Sequence, residues 1–366
     1  MTQREFFGFG SINYLTDILK ENSAKKVLLV TGKSSYESCG AKSHLDKILA
    51  GHNTKVFNKF SQSPQFSELT DGYSDLRDFS PDVIIGIGGG SVLDSAKFLK
   101  RNYFTEFQKR IPLVAIPTTA GAGSEATYFI VYHEGKEKQS EGIPDLTLPE
   151  YSILDPEFAL AAPKKIAASS GLDALSQSVE SYWCINSTEE SKKFSRRAIQ
   201  LILDNLRNSV NTKNPSAVAR VLRASNLSGK AINITKTTAC HAVSYPMTSY
   251  FHIPHGHAVA LTLGEMLVYN SQVSSKDCND KRGTEYVKET IHQLTNLLGA
   301  ETPEQARQKI KKLEEDVGLE TRLSNLGLTE KDLEIIIKEG FNPARVGNNP
   351  RLLTKEILRN ILKNIF

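Results

Sequence analysis

No two of the four cysteines (Cys39, Cys184, Cys240, Cys278) stand at C-x-x-C spacing. That argues against a zinc ribbon and against a disulfide framework, and reduced thiols are the expectation. Cys240, next to a candidate metal ligand, reads as a buried structural thiol. No apolar run approaches the ~20 residues of a membrane-crossing helix. Residues 1–7 (MTQREFF) lack the basic start and apolar stretch of a secretion signal, so a cytoplasmic protein with no membrane partner is expected. Charge of one sign is also scarce: 45 Lys and Arg against 41 Asp and Glu leave +4. The basic residues form no tail or aromatic-interleaved patch, which speaks against a nucleic-acid partner. Mild basicity still suits small anionic substrates. There is no internal repeat and no low-complexity segment.

The 366 residues are too many for one simple core and suit two domains. In the first half, β-branched runs at 26–31, 54–57, 83–87 and 113–116 read as strands, with helical periodicity between them at 43–49 and 92–99. Near-continuous apolar strands separated by helices indicate a parallel sheet covered on both faces. The texture changes after 154–156 (LDP), and helical patterns dominate: 174–182, 191–205, 215–233, 303–317, 330–339 and 354–365. The expected fold is an α/β, doubly wound, parallel-sheet dinucleotide-binding domain over 1–160 and an all-helical metal and substrate domain over 161–366.

Two loops carry chemistry in the first domain. Residues 86–97 (GIGGGSVLDSAK) follow a strong strand and open a helix. Glycines admit a phosphate close to the backbone, and a helix N-terminus offers free N–H groups and a positive dipole end. The glycine spacing is not G-x-G-x-x-G, and a structural turn is the plainer alternative. Residues 117–125 (PTTAGAGSE) follow the next strand and make a plausible second wall for a dinucleotide.

In the second domain, Asp173 and Gln177 stand four apart and share one helix face. His241, His252, His255 and His257 are four of the eight histidines, gathered within 17 residues. A single histidine on a helix is usually an ordinary polar residue. A cluster, with Pro254 and Gly256 shaping the turn around His255, is better explained by a metal.

At these residues the chain resembles the iron-containing (group III) alcohol dehydrogenase family over essentially its whole length. The matching stretches are 88–97 (GGGSVLDSAK), 117–125, 154–156, 171–183 (GLDALSQSVESYW) and 241–258 (HAVSYPMTSYFHIPHGHA). The resemblance implies a dehydroquinate synthase-like fold with the active site in the cleft between the domains, a homodimer, a nicotinamide cofactor and a divalent metal. Fe2+ is the expected ion and Zn2+ the alternative. It gives Gly88, Gly89, Gly90 and Ser91 to the cofactor pyrophosphate with Asp94 near it, Thr118 and Thr119 to the nucleotide wall, and Lys138 to the ribose. Asp173, His241 and His255 fall on three of the four family metal ligands.

Three positions depart from that pattern. Gln177 stands where the family usually has His; either its carbonyl oxygen ligates weakly or water fills the position. Tyr245 replaces a histidine associated with proton relay, so Tyr245, His257 or a water chain is the expected catalytic proton path. Gly32 stands where NAD-preferring members have Asp. A carboxylate there would repel a 2′-phosphate, so NADPH should be tolerated and is a candidate for the preferred form of NAD(P)H. Lys33 adds a cation beside it, although a plain strand-end turn accounts for it equally well.

The stretch before His241 is polar for a helix entering a catalytic cleft, with Lys230, Lys236, Thr237 and Thr238 as candidate binders of an anionic head group. The stretches 171–183, with Gln177, 186–191 (NSTEES) and 232–263 together resemble the branch of the family that reduces phosphonoacetaldehyde to 2-hydroxyethylphosphonate. The expected partner is a small anionic aldehyde. Alternatives are reductases of sulfoacetaldehyde, succinic semialdehyde or alkanals, the dehydroquinate-synthase-like lyases, and a non-catalytic nucleotide-binding relative that has lost its metal.

Overall fold

A computed structural model describes residues 3–366. The chain divides into a first compact unit ending at Pro163 and a second running Lys164–Phe366.

The strands of the first unit are β1 (Arg4–Phe7), β2 (Lys26–Thr31), β3 (Asn53–Phe57), β4 (Val83–Gly88), β5 (Leu113–Pro117), β6 (Ile130–Glu134), β7 (Glu137–Glu141) and β8 (Tyr151–Leu154). Six of them form one parallel sheet in the order β1-β8-β5-β4-β2-β3, and β6 and β7 pair as a separate antiparallel hairpin. The four strands foreseen from β-branched runs are the sheet's β2, β3, β4 and β5. The unforeseen β1 and β8 have only four residues each, too short for a pattern to show.

Every residue of β4 is buried, as a strand covered on both faces requires. One apolar cluster holds Val27, Leu29, Ile85, Ile87 and Phe158; the other holds Leu28, Val30, Ile84, Val92 and Leu99. Alternate residues of β2 and β4 thus feed opposite faces. Burying each such side chain contributes about 1.5–3 kcal/mol relative to exposure. From β2 the chain goes outward to β3 and then returns to the other side of β2 as β4. The order therefore reverses between β2 and β4, and their carboxyl ends flank the place where open α/β sheets bind ligands.

The second unit has no β-strand among its described residues, only an isolated bridge between Cys278 and Arg351. Its longer helices are Lys164–Trp183, Glu189–Asn211, Pro215–Thr235, Ala239–Phe251, His255–Ser271, Thr284–Leu297, Pro303–Asp316, Glu330–Glu339 and Lys355–Asn364. Side-chain oxygens cap many of them: Thr188, Asn214, Thr302 and Thr354 each accept an N–H from the first turn. Such a cap is worth about 1 kcal/mol.

The first of these helices begins ten residues earlier than its pattern suggests, because Ser169, Ser170 and Gly171 resemble a loop in sequence. In the structure Gly171 lets the neighbouring helix approach: a Cβ there would lie 2.2 Å from Leu206 Cδ1. The helices Ala239–Phe251, His255–Ser271 and Thr284–Leu297 are not among the expected ones; the first two have a visible reason. The first contains Pro246, and the second is buried on nearly every side, which erases the 3.6-residue alternation.

Candidate metal and nucleotide sites

Three helices of the second unit bring the metal candidates together. Asp173 lies mid-way along Lys164–Trp183, His241 in the first turn of Ala239–Phe251, and His255 at the first position of His255–Ser271. One ligand atom from each lies within 4.8 Å of the other two. Asp173 and His241 are buried and His255 half-buried. The rings of His241 and His255 stand 5.5 Å apart at 75° to one another.

Gly256 sets the approach of the His255 helix. A Cβ there would fall 2.0 Å from the Ser169 carbonyl oxygen and 2.6 Å from Asp173 Cβ, so only glycine allows this contact. The break between the two histidine helices is made by His252, an exposed left-handed C-cap with φ 57°, followed by Ile253 and Pro254. Of the four clustered histidines, His252 is thus a turn residue.

Both candidate histidines are fixed through Nδ1. His241 Nδ1 bonds Glu180 Oε2, while Glu180 Oε1 accepts from Thr238 Oγ1 at 2.7 Å and Cys240 N at 2.8 Å. Trp183 Nε1 in turn donates to Thr238 Oγ1 at 3.0 Å. His255 Nδ1 lies 3.3 Å from Ser244 Oγ, whose single proton goes to the His241 carbonyl at 2.7 Å. Ser244 must therefore accept from His255, which makes Nδ1 the protonated nitrogen and leaves the ligating lone pair on Nε2.

His241 Nε2 is buried, makes no hydrogen bond, and has Asp173 Oδ1 at 3.4 Å. Burial by itself would lower the His241 pKa, but Glu180 and Asp173 outweigh it and raise it to about 9. Burial would raise the Glu180 carboxyl, yet His241, Thr238 and the Cys240 N–H hold it below its ordinary value. Without a cation, the two carboxylates favour the protonated form of the imidazole between them. One carboxylate and two imidazoles with oriented Nε2 atoms fit a divalent first-row metal in place of that proton.

Gln177 is buried one turn after Asp173, and its Oε1 lies 2.9 Å from Ser228 Oγ. Tyr245 is half-buried, with its ring 6.1 Å from that of His255. His257 faces elsewhere: its Nε2 bonds the Glu320 carbonyl at 2.6 Å, and burial pushes its pKa down. On Pro215–Thr235, Ser228 and Thr235 meet the Asp173 helix, contacting Gln177 and Ser181. Lys230 is half-buried and, two residues past Ser228, points off that face by roughly 200°.

Lys236 is the exposed C-cap of that helix at φ 64°, ψ −178°, a region otherwise left to glycine. Thr237 is buried and its carbonyl accepts from Asn348 Nδ2, while the Thr238 hydroxyl is committed to Glu180 and Trp183. Cys240 is a buried free thiol, and burial raises its pKa well above the ordinary value.

In the first unit the two loops meet at the ends of β4 and β5. A Cβ at Gly89 would lie 3.4 Å from Thr119 Oγ1, one at Gly90 3.4 Å from Ala122 Cβ, and one at Gly88 only 2.5 Å from Val92 Cγ2. Helix Gly90–Phe107 starts directly at the loop, so its first N–H groups face the strand ends. Ser91 Oγ donates to the Gln62 carbonyl.

Asp94 is a brace: it accepts from Ser124 Oγ and the Val131 N–H, with Lys97 Nζ at 3.3 Å. Thr118 is buried and its N–H donates to the Gly88 carbonyl at 3.0 Å. Lys138 is half-buried on β7, opposite His133. Gly32 directly follows β2, and a Cβ there would meet Ser35 Oγ at 2.3 Å.

Glu180, Ser228 and Ser244 were not singled out in the sequence. Glu180 was within reach, since Asp173, Gln177 and Glu180 follow i, i+4, i+7 spacing along one stripe. The serines carry no such signal.

Comparison with known proteins adds family matches at both ends of the chain. The description "Iron-containing alcohol dehydrogenase" matches residues 2–156 and "Fe-containing alcohol dehydrogenase family, C-terminal" residues 167–366. Among curated relatives, a phosphonoacetaldehyde reductase of Streptomyces viridochromogenes is 33% identical over 309 residues, covering 78% of this chain and 77% of that protein. An NADPH-dependent butanol dehydrogenase of Clostridium saccharobutylicum is 27% identical, covering 99% and 96%. Among solved structures, a sulfoacetaldehyde reductase of Bifidobacterium kashiwanohense in complex with NAD+ superposes with a TM-score of 0.86 at 27% identity, covering 99% and 96%.

Proposed function

Because this chain belongs to the iron-containing alcohol dehydrogenase family, we propose that it reduces a small aldehyde with an anionic head group, phosphonoacetaldehyde foremost, at the expense of NAD(P)H. Its class is that of an alcohol dehydrogenase/aldehyde reductase. The observation that carries the reading is the Asp173–His241–His255 group, with each imidazole anchored through Nδ1. Sulfoacetaldehyde, the substrate named for the structural neighbour, is likewise an aldehyde with an anionic oxyacid group on the carbon adjacent to the carbonyl. The two named substrates thus share the chemistry proposed here.

The reaction takes up aldehyde, NAD(P)H and one proton and releases alcohol and NAD(P)+. When bound, a divalent cation polarises the aldehyde oxygen and the nicotinamide supplies hydride to its carbon. Asp173, His241 and His255 hold the cation, with Gln177 as a fourth, weaker donor. Glu180 and Ser244 fix the imidazole tautomers. The Tyr245 hydroxyl, on the same helix as His241, supplies the proton to the alkoxide through solvent. His257 is the poorer relay, because its Nε2 is already engaged by Glu320.

Gly88, Gly89, Gly90 and Ser91, at the N-terminus of a long helix, bind the pyrophosphate, with Thr118 and Thr119 beside them. Lys138 reaches the ribose. Gly32 leaves no carboxylate at the end of β2, so the 2′-phosphate of NADPH is tolerated there. Lys236, with Thr237, orients the head group, and Lys230 adds positive charge at longer range.

Steady-state oxidation of NADH and NADPH with phosphonoacetaldehyde, sulfoacetaldehyde, succinic semialdehyde and butanal tests the reading. One charge-assisted contact is worth about 1.5–3 kcal/mol, so kcat/KM for the phosphonate should exceed that for butanal by about 10- to 100-fold. A preference for butanal would overturn the anionic-substrate proposal.

A further inference from the structure

Ser228 lies on helix Pro215–Thr235 and is fully buried against Gln177 on helix Lys164–Trp183. Its hydroxyl oxygen has two close neighbours, the Ser225 carbonyl oxygen at 2.8 Å and, at 2.9 Å, the end of the Gln177 amide assigned as Oε1. A serine has one proton to donate. The Ser225 carbonyl is an acceptor only, so the contact with it requires that proton, the familiar back-bond of a helical serine to the preceding turn. The Ser228 oxygen then has only lone pairs for Gln177. An amide oxygen facing those lone pairs at 2.9 Å is repelled, whereas an amide NH2 in the same place donates a hydrogen bond. A half-turn of the amide group about its last side-chain bond exchanges these two ends and moves no other atom.

We infer that Ser228 is a positioning residue: it holds the NH2 end of the Gln177 amide and so turns the carbonyl oxygen to the opposite end, as a donor for the cation of Asp173, His241 and His255. The inference rests on the metal-site reading above and deepens it. An amide is a usable ligand only through its oxygen, since its nitrogen lone pair is delocalised. With a freely rotating glutamine, half of the orientations would aim NH2 at the cation. Ser228 removes that ambiguity, as partners behind ligating groups do in metal sites generally.

The test uses the full chain loaded with Co2+, whose visible absorption reports the donor set, together with Co2+ affinity from chelator competition and a thermal melt to confirm folding. Ser228→Ala should weaken Co2+ binding by about 10-fold and shift the absorption bands. Gln177→Leu should do the same, and the double variant should be no weaker than Gln177→Leu alone. In a Gln177→His background, Ser228→Ala should have no effect on affinity, because an imidazole ligand does not need that orientation.

Wild-type affinity and spectrum in Ser228→Ala, with Gln177→Leu impaired, would overturn the positioning role. An unimpaired Gln177→Leu would overturn it too, by removing Gln177 from the donor set while leaving the other three in place. Unchanged Co2+ binding in His241→Ala would instead sink the metal site itself.

Discussion

At the scale of single residues, the site is governed by where protons are obliged to be. Glu180 is the clearest case: a fully buried carboxylate that binds His241 Nδ1, the Thr238 hydroxyl and the Cys240 N–H together. Glu180→Gln keeps the shape but removes the charge that makes His241 a strong donor. We expect metal affinity to fall by about 10- to 100-fold, measured by chelator competition, with the fold retained. Unchanged affinity would show that Glu180 serves packing alone.

Lys236 gives a prediction of opposite sign for stability and function. Its backbone lies in a region that costs a non-glycine residue about 1–3 kcal/mol. Lys236→Gly should therefore raise the melting temperature while raising KM for the anionic aldehyde and leaving that for butanal unchanged. A lower melting temperature would show that the backbone is not strained there. An unchanged KM for the anionic aldehyde would remove Lys236 from the head-group site.

At the scale of elements, the metal site depends on how closely two helices touch. Gly256→Ala places a methyl group against the Ser169 carbonyl and Asp173 Cβ, and neither a backbone oxygen nor a Cβ can swing aside. The His255 helix must move outward. Overpacking of this kind costs about 1–3 kcal/mol, so a lower melting temperature together with loss of bound metal is expected. A variant that melts like wild type and keeps its metal would contradict the close-contact account.

The same helices show what a sequence can and cannot disclose. Asp173, Gln177, His241 and His255 are legible because chemically distinctive side chains recur at helical spacing or cluster around Pro254 and Gly256. The helix that starts at His255 is not, since burial on nearly all sides leaves no polar face to mark its period. Ser228 and Ser244 are invisible for a different reason: a serine acquires a role only from the partner that tertiary packing brings to it. The loops after β4 and β5 are readable as a pair, and Asp94, expected near the pyrophosphate, also ties Ser124 and Val131 together.

At the scale of the whole molecule, each unit is an apolar framework, with the two glycine-rich loops at the strand ends of the first and the Asp173–His241–His255 group in the second. One buried carboxyl outside those groups shapes global stability. Glu314 is 4% exposed, and burial raises its pKa to about 8. The folded state therefore favours the protonated carboxyl. The resulting stabilisation is complete below the ordinary glutamate pKa and is lost as pH rises towards 8. Denaturant unfolding from pH 5 to 9 should show this decline, of a few kcal/mol at most, and Glu314→Gln should flatten it. Equal pH slopes in the two proteins would mean that Glu314 is ionised in the fold throughout.

The central claim is that three oriented donors hold one catalytic cation. It is tested most directly by metal content after reconstitution with Fe2+ or Zn2+ and removal of excess ion, for wild type and His241→Ala side by side. The account predicts one bound ion per chain in the wild type and essentially none in the variant, which should remain folded. A wild type that retains no ion, or a variant that retains as much as the wild type, would contradict it.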